Sequence, residues 1–324
     1  MAYSKPMIIL LTGAAGFIGF HVARKCLAQG HHVIGVDNLN DYYDTALKQA
    51  RLAELKKHKN FEFHSLDIAD ERSLKLFQAR GVTHILHLAA QAGVRHSIQS
   101  PRAYARSNVV GHLEVLEFAR DCDSLEHLVY ASSSSVYGDR DGGPFAETDT
   151  ARAPASLYAA TKISGEMIAE SYAKLYKIPQ TGLRFFTVYG PWGRPDMAYF
   201  IFTEKILRGG VMTLFAPEQM QRDFTYVDDI SAILPKILQT PSTGHEIYNL
   251  GNSNPNPLMA LVNAVEKACN RKAVLDIQPK QKGDVSNTFA DISAARSAFN
   301  FAPKTDLETG IAQFVDWYRG FYKV

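Results

Sequence analysis

Tyr158 and Lys162 stand four residues apart, where the apolar pattern marks the start of a helix. On a helix that spacing puts a phenol and an ammonium on one face. A phenol is a poor base near neutrality, with an ordinary pKa of about 10. A fixed cation beside it favours the phenolate and brings it toward working pH. Such a pair can take a proton from an alcohol. Upstream, Ser132-Ser133-Ser134-Ser135 closes an apolar run that reads as a strand. One of these hydroxyls, taken here as Ser133, is expected to meet the oxygen that Tyr158 deprotonates. Either feature alone is common: Tyr and Lys share many helices, and a serine run is also a plain polar loop. Together, behind a nucleotide-binding turn, they carry a reaction.

The elements that must position them follow from periodicity. Residues 7–11, 32–36, 61–65, 84–88, 127–131 and 181–185 are nearly continuous apolar runs, as parallel strands covered on both faces require. Helical stretches lie between them, at 17–29, 46–57, 101–120 and 157–176. Repeated βα units imply right-handed crossovers and a doubly wound α/β sheet. Past Gly190, Pro, Gly and Asn become frequent and the pattern loosens. We therefore expect a dinucleotide-binding domain over 1–190 and a smaller substrate-binding α/β domain over 191–324. A return to the sheet is expected near 223–250, where 246–250 reads as another short strand.

Gly13-Ala14-Ala15-Gly16-Phe17-Ile18-Gly19 follows the first strand and opens a helix. Glycines there permit the tight turn, a close approach of backbone to pyrophosphate, and close helix–strand packing. The helix N-terminus then offers free N–H groups to the phosphates. A lone glycine triplet is a weak signal. It becomes strong because Asp37 closes the second strand about 20 residues on, where a carboxylate binds the adenosine ribose and repels a 2′-phosphate. The expected cofactor is NAD, bound in a Rossmann sheet. Its expected contacts are Gly13, Gly16, Phe17, Ile18, Gly19, Asp37, Asn38, Asp67, Ile68, Leu88, Ala89 and Ala90, with Tyr158 and Lys162. Asp67 reads equally well as the N-cap of the next segment.

On these residues the chain resembles the extended short-chain dehydrogenases/reductases, and within them the UDP-glucuronate 4-epimerases. The similar segments run almost end to end: GAAGFIGFH, DNLNDYYD, HLAAQAGVRHS, YASSSSVYG, SLYAATK, RFFTVYGPWGRPDMA, RDFTYVDDI and YNLGN. The glycine turn and the Tyr–Lys pair are shared by the superfamily, whereas DNLNDYYD, AQAGVR and TVYGPWGRPDMA are far narrower. The resemblance implies that Tyr158 is the catalytic base of a 4-epimerisation through a transient 4-keto sugar. It also implies a homodimer, since the stretches 101–120 and 157–176 resemble helices that pair across a four-helix interface in this family.

Particular positions separate this chain from relatives with other chemistry. Sugar-nucleotide 4,6-dehydratases carry an Asp-Glu pair where Ser134-Ser135 stands, and UDP-glucuronate decarboxylases carry Glu where Ser135 stands. A neutral hydroxyl there leaves a sugar carboxylate unrepelled, which should hinder loss of carbon dioxide. The UDP-galactose type places an Arg where this chain has Gln281 and a bulky aromatic where it has Thr288. That departure matches the glucuronate branch, yet Thr288 leaves room for a neutral or 2-acetamido UDP-sugar as well. Carboxylate recognition is expected from Thr187 with Ser132, Ser133 and Ser134; diphosphate contacts are expected from Arg194 and Arg222. Arg95 is expected either as a third anion contact or as a structural salt bridge.

Bulk properties narrow the rest. The 324 residues are 46% hydrophobic and 21% charged, with net charge +2 and no basic stripe for nucleic acid. Cys26, Cys122 and Cys269 are odd in number and far apart, and read as buried residues of a reducing compartment. The apolar start at 7–20 is broken by Thr12, Gly13, Gly16 and Gly19, so neither a signal peptide nor a membrane span is expected. A cytoplasmic protein is expected. No metal site is expected, because His84 and His87 fall on opposite faces of one strand. His31 and His32 are expected to face solvent, and Trp317, Tyr318 and Phe321 to pack a terminal helix.

Overall fold

The computed structural model describes residues 5–139, 142–150, 153–279 and 287–324. Two compact units account for the chain: Met1–Val136, Ser156–Arg184 and Ser231–Tyr248 in the first, Tyr137–Ala155, Phe185–Ile230 and Asn249–Val324 in the second. In the first unit the apolar runs become β1 (Ile8–Thr12), β2 (His32–Asp37), β3 (Phe61–Ser65), β4 (His84–His87), β5 (His127–Ser133) and β6 (Gln180–Phe185). Edge to edge the sheet runs His245–Leu250, β6, β5, β4, β1, β2, β3. β1 pairs in parallel with both β2 and β4. Chain order reverses between those neighbours, and a doubly wound sheet opens its ligand crevice at such a point, beyond the carboxyl ends of the strands. Thr12 and His87 end the two strands, so Gly13 and Leu88 emerge side by side.

Leu10, Ile34, Ile85 and Leu128 from the sheet pack with Val115, Leu116 and Phe118 from the Gly111–Arg120 helix. The helix expected over 101–120 is not uniform. Pro101–Tyr104 is α-helical, Ala105–Val110 is a π-helical turn, and the α-helix resumes at Gly111. The wider turn accompanies an inward Asn108, whose amide donates to the Gln91 carbonyl and Thr161 Oγ1, each at 3.0 Å, and accepts from the Gln91 N–H at 2.7 Å. Periodicity alone cannot see such a turn, because one extra residue leaves the apolar stripe intact.

The second unit carries a three-stranded sheet of Pro255–Pro257, Gln221–Tyr226 and Thr187–Tyr189, and a parallel pair of Val211–Phe215 with Val274–Gln278. Its aromatic core includes Tyr189, Tyr199, Phe200, Phe314 and Tyr318. Trp317 stacks on Phe321 with centroids 5.3 Å apart, within the terminal helix Leu307–Tyr322. Asp223 is fully buried, and its carboxylate accepts from the N–H groups of Asn252, Ser253 and Ala290.

One expectation is corrected. His31 is buried, not solvated: its Nδ1 accepts from the Met7 N–H at 3.2 Å. The turn before β2 folds under the amino ends of the strands, where an imidazole satisfies a backbone donor. His32 is exposed. Cys26, Cys122 and Cys269 are all unpaired and buried. Among the described residues, no helix is long and apolar enough to cross a membrane, and no cluster of His, Cys, Asp or Glu could hold a metal.

Burial makes the fold sensitive to acid. It pushes His84 and His127 down to about 4 and His112 to about 3, and holds His87 well below its ordinary value. These rings are neutral when folded but titrate near 6.5 when unfolded. Their contribution is therefore present above pH 6.5 and lost as pH falls toward 4. Asp37 and Asp223, raised by burial, act in the opposite direction. His31 and His245 are lowered by burial as well, so the rings outnumber the two carboxyls, and the melting temperature followed by circular dichroism is expected to be lower at pH 5 than at pH 7.5. A melting temperature that held or rose would assign control to the carboxyls.

Candidate active site

The glycine turn is locked by backbone contacts that a side chain would break. Gly13 has φ +76°, and a Cβ built on it would sit 2.7 Å from the Ala89 nitrogen. A Cβ on Gly19 would sit 2.1 Å from the Gly13 carbonyl oxygen. The helix Phe17–Ala28 begins at Gly16 with no side-chain cap, so no side chain takes the N–H groups of its first turn, which an anion can satisfy. Phe17 is buried and Ile18 half-buried along that turn. Asp37 ends β2 beneath it: Oδ2 accepts from the Ala15 N–H at 3.1 Å, and Oδ1 from the Leu39 N–H at 2.9 Å. Burial raises the Asp37 carboxyl, opposed by Lys48, the two backbone donors and Arg51.

The loop after Asp37 is strapped down. Asn38 Oδ1 accepts from the Asn40 N–H, while Lys48 Nζ donates to the Asn40 carbonyl at 2.7 Å and to its Oδ1 at 2.8 Å. Arg51, wholly buried, donates to the Ala15 carbonyl and the Tyr43 hydroxyl, both at 2.8 Å. Sequence reasoning missed Lys48 and Arg51. Two basic residues three apart on a helix usually mark its wet face, and only the carbonyl and phenol they meet reveal otherwise. Asp67 Oδ1 accepts from the Ala69 N–H at 2.9 Å within a turn, not as an N-cap, since the next helix Ser73–Arg80 follows Arg72 with no side-chain cap; Arg106 is 3.5 Å away. Ile68 is buried in the core. Leu88, Ala89 and Ala90 are half-buried, with the Ala89 N–H donating to Thr12 Oγ1 at 3.2 Å.

Tyr158 and Lys162 open the helix Leu157–Tyr176, which Ser156 caps by accepting from the Ala159 N–H at 3.1 Å. Lys162 Nζ donates to the Ala131 carbonyl at 2.8 Å and stands 6.0 Å from the Tyr158 ring centroid. Burial lowers the ammonium to about 8, with Glu166 opposing. Tyr104 meets Tyr158 edge-on at 6.1 Å. Ser133, two residues beyond Ala131, accepts from the Ser135 N–H and donates to Ser135 Oγ, both at 3.2 Å. Ser134 is half-buried in the short turn that follows.

Ser132 departs from its expected substrate role. It is buried, and its hydroxyl donates to Glu166 Oε1 at 2.5 Å; Glu166 in turn takes two bonds from Arg184, at 2.9 and 2.8 Å. Alternation along β5 explains this: neighbours on a strand point to opposite faces, so Ser132 turns to the helix when Ser133 does not. Glu166 and Arg184 were also missed, since an acid and a base 18 residues apart give no local signal.

In the second unit, Thr187 pairs with Phe224. Thr288 is buried beside that sheet, with Oγ1 accepting from the Asp223 N–H at 3.4 Å. Arg222 donates to the Gln221 carbonyl at 2.9 Å. Arg194 donates side-on to Asp196, from Nε at 3.0 Å and from Nη2 at 2.6 Å. Arg95, in the first unit, is exposed before the short helix His96–Gln99. Gln281 lies outside the described residues.

The turn that a Cβ would fill, the uncapped helix and the buried Asp37 carboxylate at the end of β2 suit NAD. With a phenol–ammonium pair at the same sheet edge, they define a short-chain dehydrogenase/reductase. More narrowly, the chain belongs to the NAD dependent epimerase/dehydratase family, which matches residues 9–251. It is 46% identical to UDP-glucuronate 4-epimerase 2 of Arabidopsis thaliana over 332 residues, 97% of this chain and 76% of that one. Among solved structures it superposes with TM-score 0.92 on UDP-glucuronic acid 4-epimerase from Bacillus cereus in complex with UDP-glucuronic acid and NAD, at 32% identity, covering 98% of this chain and all of that one. The UDP-glucose 4-epimerase of Thermotoga maritima superposes with TM-score 0.88 at 30% identity, covering 98% of this chain and 100% of that one.

Gly19→Ala is expected to yield folded protein without bound NAD, because the methyl forces the helix off the turn. Ultraviolet spectra of the purified protein and an NAD titration check this; undiminished NAD binding would refute the role given to the turn.

Proposed function

We propose that this protein is an NAD-dependent 4-epimerase that converts UDP-glucuronic acid to UDP-galacturonic acid. The observation that carries the reading is the Tyr158–Lys162 pair anchored on the Ala131 carbonyl, two residues before Ser133. Tyr158 takes the proton of the sugar 4-hydroxyl, and Ser133 hydrogen-bonds the same oxygen. Lys162 supplies the charge that keeps the phenol ionised. NAD, when bound, supplies the acceptor and later the donor of the C4 hydride. The 4-keto sugar turns over while its nucleotide stays fixed, and Tyr158 returns its proton on the other face. No net oxidation occurs, so no redox partner is needed. Orientation carries much of the catalysis, because both ketone faces must reach one hydride.

For the substrate, Thr187, Ser133 and Ser134 are assigned to the carboxylate, since Ser132 is committed to Glu166. Arg194 and Arg222 are assigned to the diphosphate; Arg194 is held side-on by Asp196, and Arg222 by the Gln221 carbonyl. Arg95 is a further anion contact. The neutral Ser135 favours retention of the carboxylate over its loss. Thr288 is small enough to admit a 2-acetamido group, so a neutral or acetamido UDP-sugar is the second reading. A homodimer is assigned to the exposed apolar side chains Val110, Leu113, Leu157 and Met167 on the 101–120 and 157–176 stretches. The unpaired cysteines favour the cytoplasm.

Incubation with UDP-glucuronate, UDP-glucose and UDP-N-acetylglucosamine, without added NAD, is expected to convert only the first, with NMR identifying UDP-galacturonate. Conversion of a neutral sugar alone would overturn the substrate assignment, and UDP-xylose would mark a decarboxylase. Tyr158→Phe is expected to retain NAD and lose turnover; near-normal rates would remove it as the base. Arg222→Ala is expected to raise KM about 10–100-fold, the worth of a charge-assisted hydrogen bond, with kcat little changed. An unchanged KM would exclude it from the diphosphate.

A further inference from the structure

In the second unit two separate stretches of chain converge on Asp223, a fully buried residue of the Gln221–Tyr226 strand. Its Oδ1 accepts from the Asn252 N–H at 2.6 Å. Its Oδ2 accepts from the N–H groups of Ser253 and Ala290, each at 3.0 Å. The Asp223 N–H in turn donates to Thr288 Oγ1 at 3.4 Å. No cation among the described residues answers the carboxylate, and the three backbone donors oppose the rise that burial gives it. A neutral side chain would be desolvated at far smaller cost. An amide, however, presents one acceptor oxygen, whereas a carboxylate presents two and can gather all three donors.

What is gathered there carries the residues assigned to the substrate. The strip 288–291 is tied down along its length. The Thr288 N–H donates to the Gln221 carbonyl at 3.2 Å, the Phe145 N–H to the Phe289 carbonyl at 2.7 Å, and the Asp291 N–H to the Phe145 carbonyl at 2.9 Å. Asn249, also fully buried, donates from Nδ2 to the Phe145 and Asp291 carbonyls, at 2.8 and 3.0 Å. Gly251 is not among the positive-φ glycines, so close approach and not conformation explains it. A Cβ there would lie 2.5 Å from Ala290 Cβ and 2.8 Å from Asp223 Oδ2. Neighbours on a strand point to opposite faces, so an inward Asp223 turns Arg222 the other way. Thr187 is paired with Phe224, the next residue along.

We propose that Asp223 is a positioning residue for the UDP-sugar: by drawing the 252–253 and 288–290 backbones onto one carboxylate, it sets Thr288 and Arg222 in the register that binds substrate. The proposal deepens the reading above and rests on Arg222 and Thr288 lining the UDP-sugar site. The Asp223 oxygens are taken up by backbone donors, so its effect falls on substrate binding and not on hydride or proton transfer. Gly251 is part of the same device, because only its missing Cβ lets Ala290 and the carboxylate meet.

The test uses NAD-loaded protein and two variants. Asp223→Asn keeps the shape and sets an NH2 group against backbone donors; Gly251→Ala keeps the charge and displaces it with a methyl. Each is assayed with UDP-glucuronate and titrated calorimetrically with UDP alone. Near-ultraviolet circular dichroism of the Tyr189, Tyr199 and Phe314 core follows the packing of the second unit. Both variants are expected to raise KM and the UDP Kd roughly 10-fold, with kcat within about threefold and NAD content and dichroism at the parent level. An Asp223→Asn variant with unchanged UDP affinity, or with kcat lost at constant KM, overturns the proposal. So does a Gly251→Ala variant that binds UDP like the parent. Hydrogen exchange of the NAD-loaded parent decides the matter even where a variant fails to fold. UDP at about ten times its Kd should slow amide exchange across 249–254 and 287–291 roughly 10-fold, because an opening that frees them from Asp223 abolishes UDP binding. Unchanged exchange in either segment overturns the proposal. If UDP binding weakens as expected but UDP-glucuronate is not epimerised, the positioning role stands and the substrate assignment falls.

Discussion

An ammonium shut away from water must be held by something that keeps it charged and aimed. Here that is the bond from Lys162 Nζ to the Ala131 carbonyl at 2.8 Å. It joins the first turns of the Leu157–Tyr176 helix to the end of β5, and so fixes where Tyr158 stands relative to Ser133. One turn further along the helix, Glu166 closes a bidentate pair with Arg184 of β6 and receives Ser132 of β5. The helix is thus bound to two adjacent strands by fully desolvated polar bonds. Breaking a buried pair of that kind by removing one partner strands a charge, at about 3–5 kcal/mol. Tyr158 therefore stands on a helix tied to the sheet through Lys162, Glu166 and their partners.

The cofactor side obeys a different constraint. Contacts of 2.1 and 2.7 Å at the positions where Gly19 and Gly13 would carry a Cβ leave the turn one conformation, and Asp37 is pinned to it by the Ala15 N–H. Backbone sterics govern this half, and charge pairing the other. The two halves meet where β1 and β4 adjoin, because the reversal of chain order there leaves room that no crossover helix fills.

Much of this was legible before any coordinates. The strand at Phe61–Ser65 and the helix at Leu157–Tyr176 fall where periodicity puts them, because each buries a stripe of fixed period. The glycine turn and the Tyr–Lys pair were legible because their chemistry is local: spacing along the chain sets geometry. What escaped was non-local or compensated. The π-helical turn at Ala105–Val110 leaves the pattern of apolar residues unbroken. Arg51 looks solvated until the Ala15 carbonyl is placed above it. Ser132 and Ser133 are the same residue in sequence, and only the register of β5 against the helix tells which serves Glu166. His31 hides because burial of a histidine depends on a backbone donor contributed by Met7, 24 positions away.

The strapped loop after Asp37 bears on why such a fold can run a closed cycle. A dehydrogenase must exchange its dinucleotide every turnover, and its site has to open. An epimerase regenerates its own oxidant, so the adenosine end can be built shut. In this chain Lys48 and Arg51 strap the loop after Asp37 with four hydrogen bonds of 2.7–2.8 Å from partly or wholly buried cations. Those cations also lean toward Asp37, opposing the effect of burial on its carboxyl. The pair that straps the loop thus also counters the rise that burial gives the Asp37 carboxyl. Loop closure and the charge balance at Asp37 are therefore one arrangement, and neither could be relaxed without loosening the other.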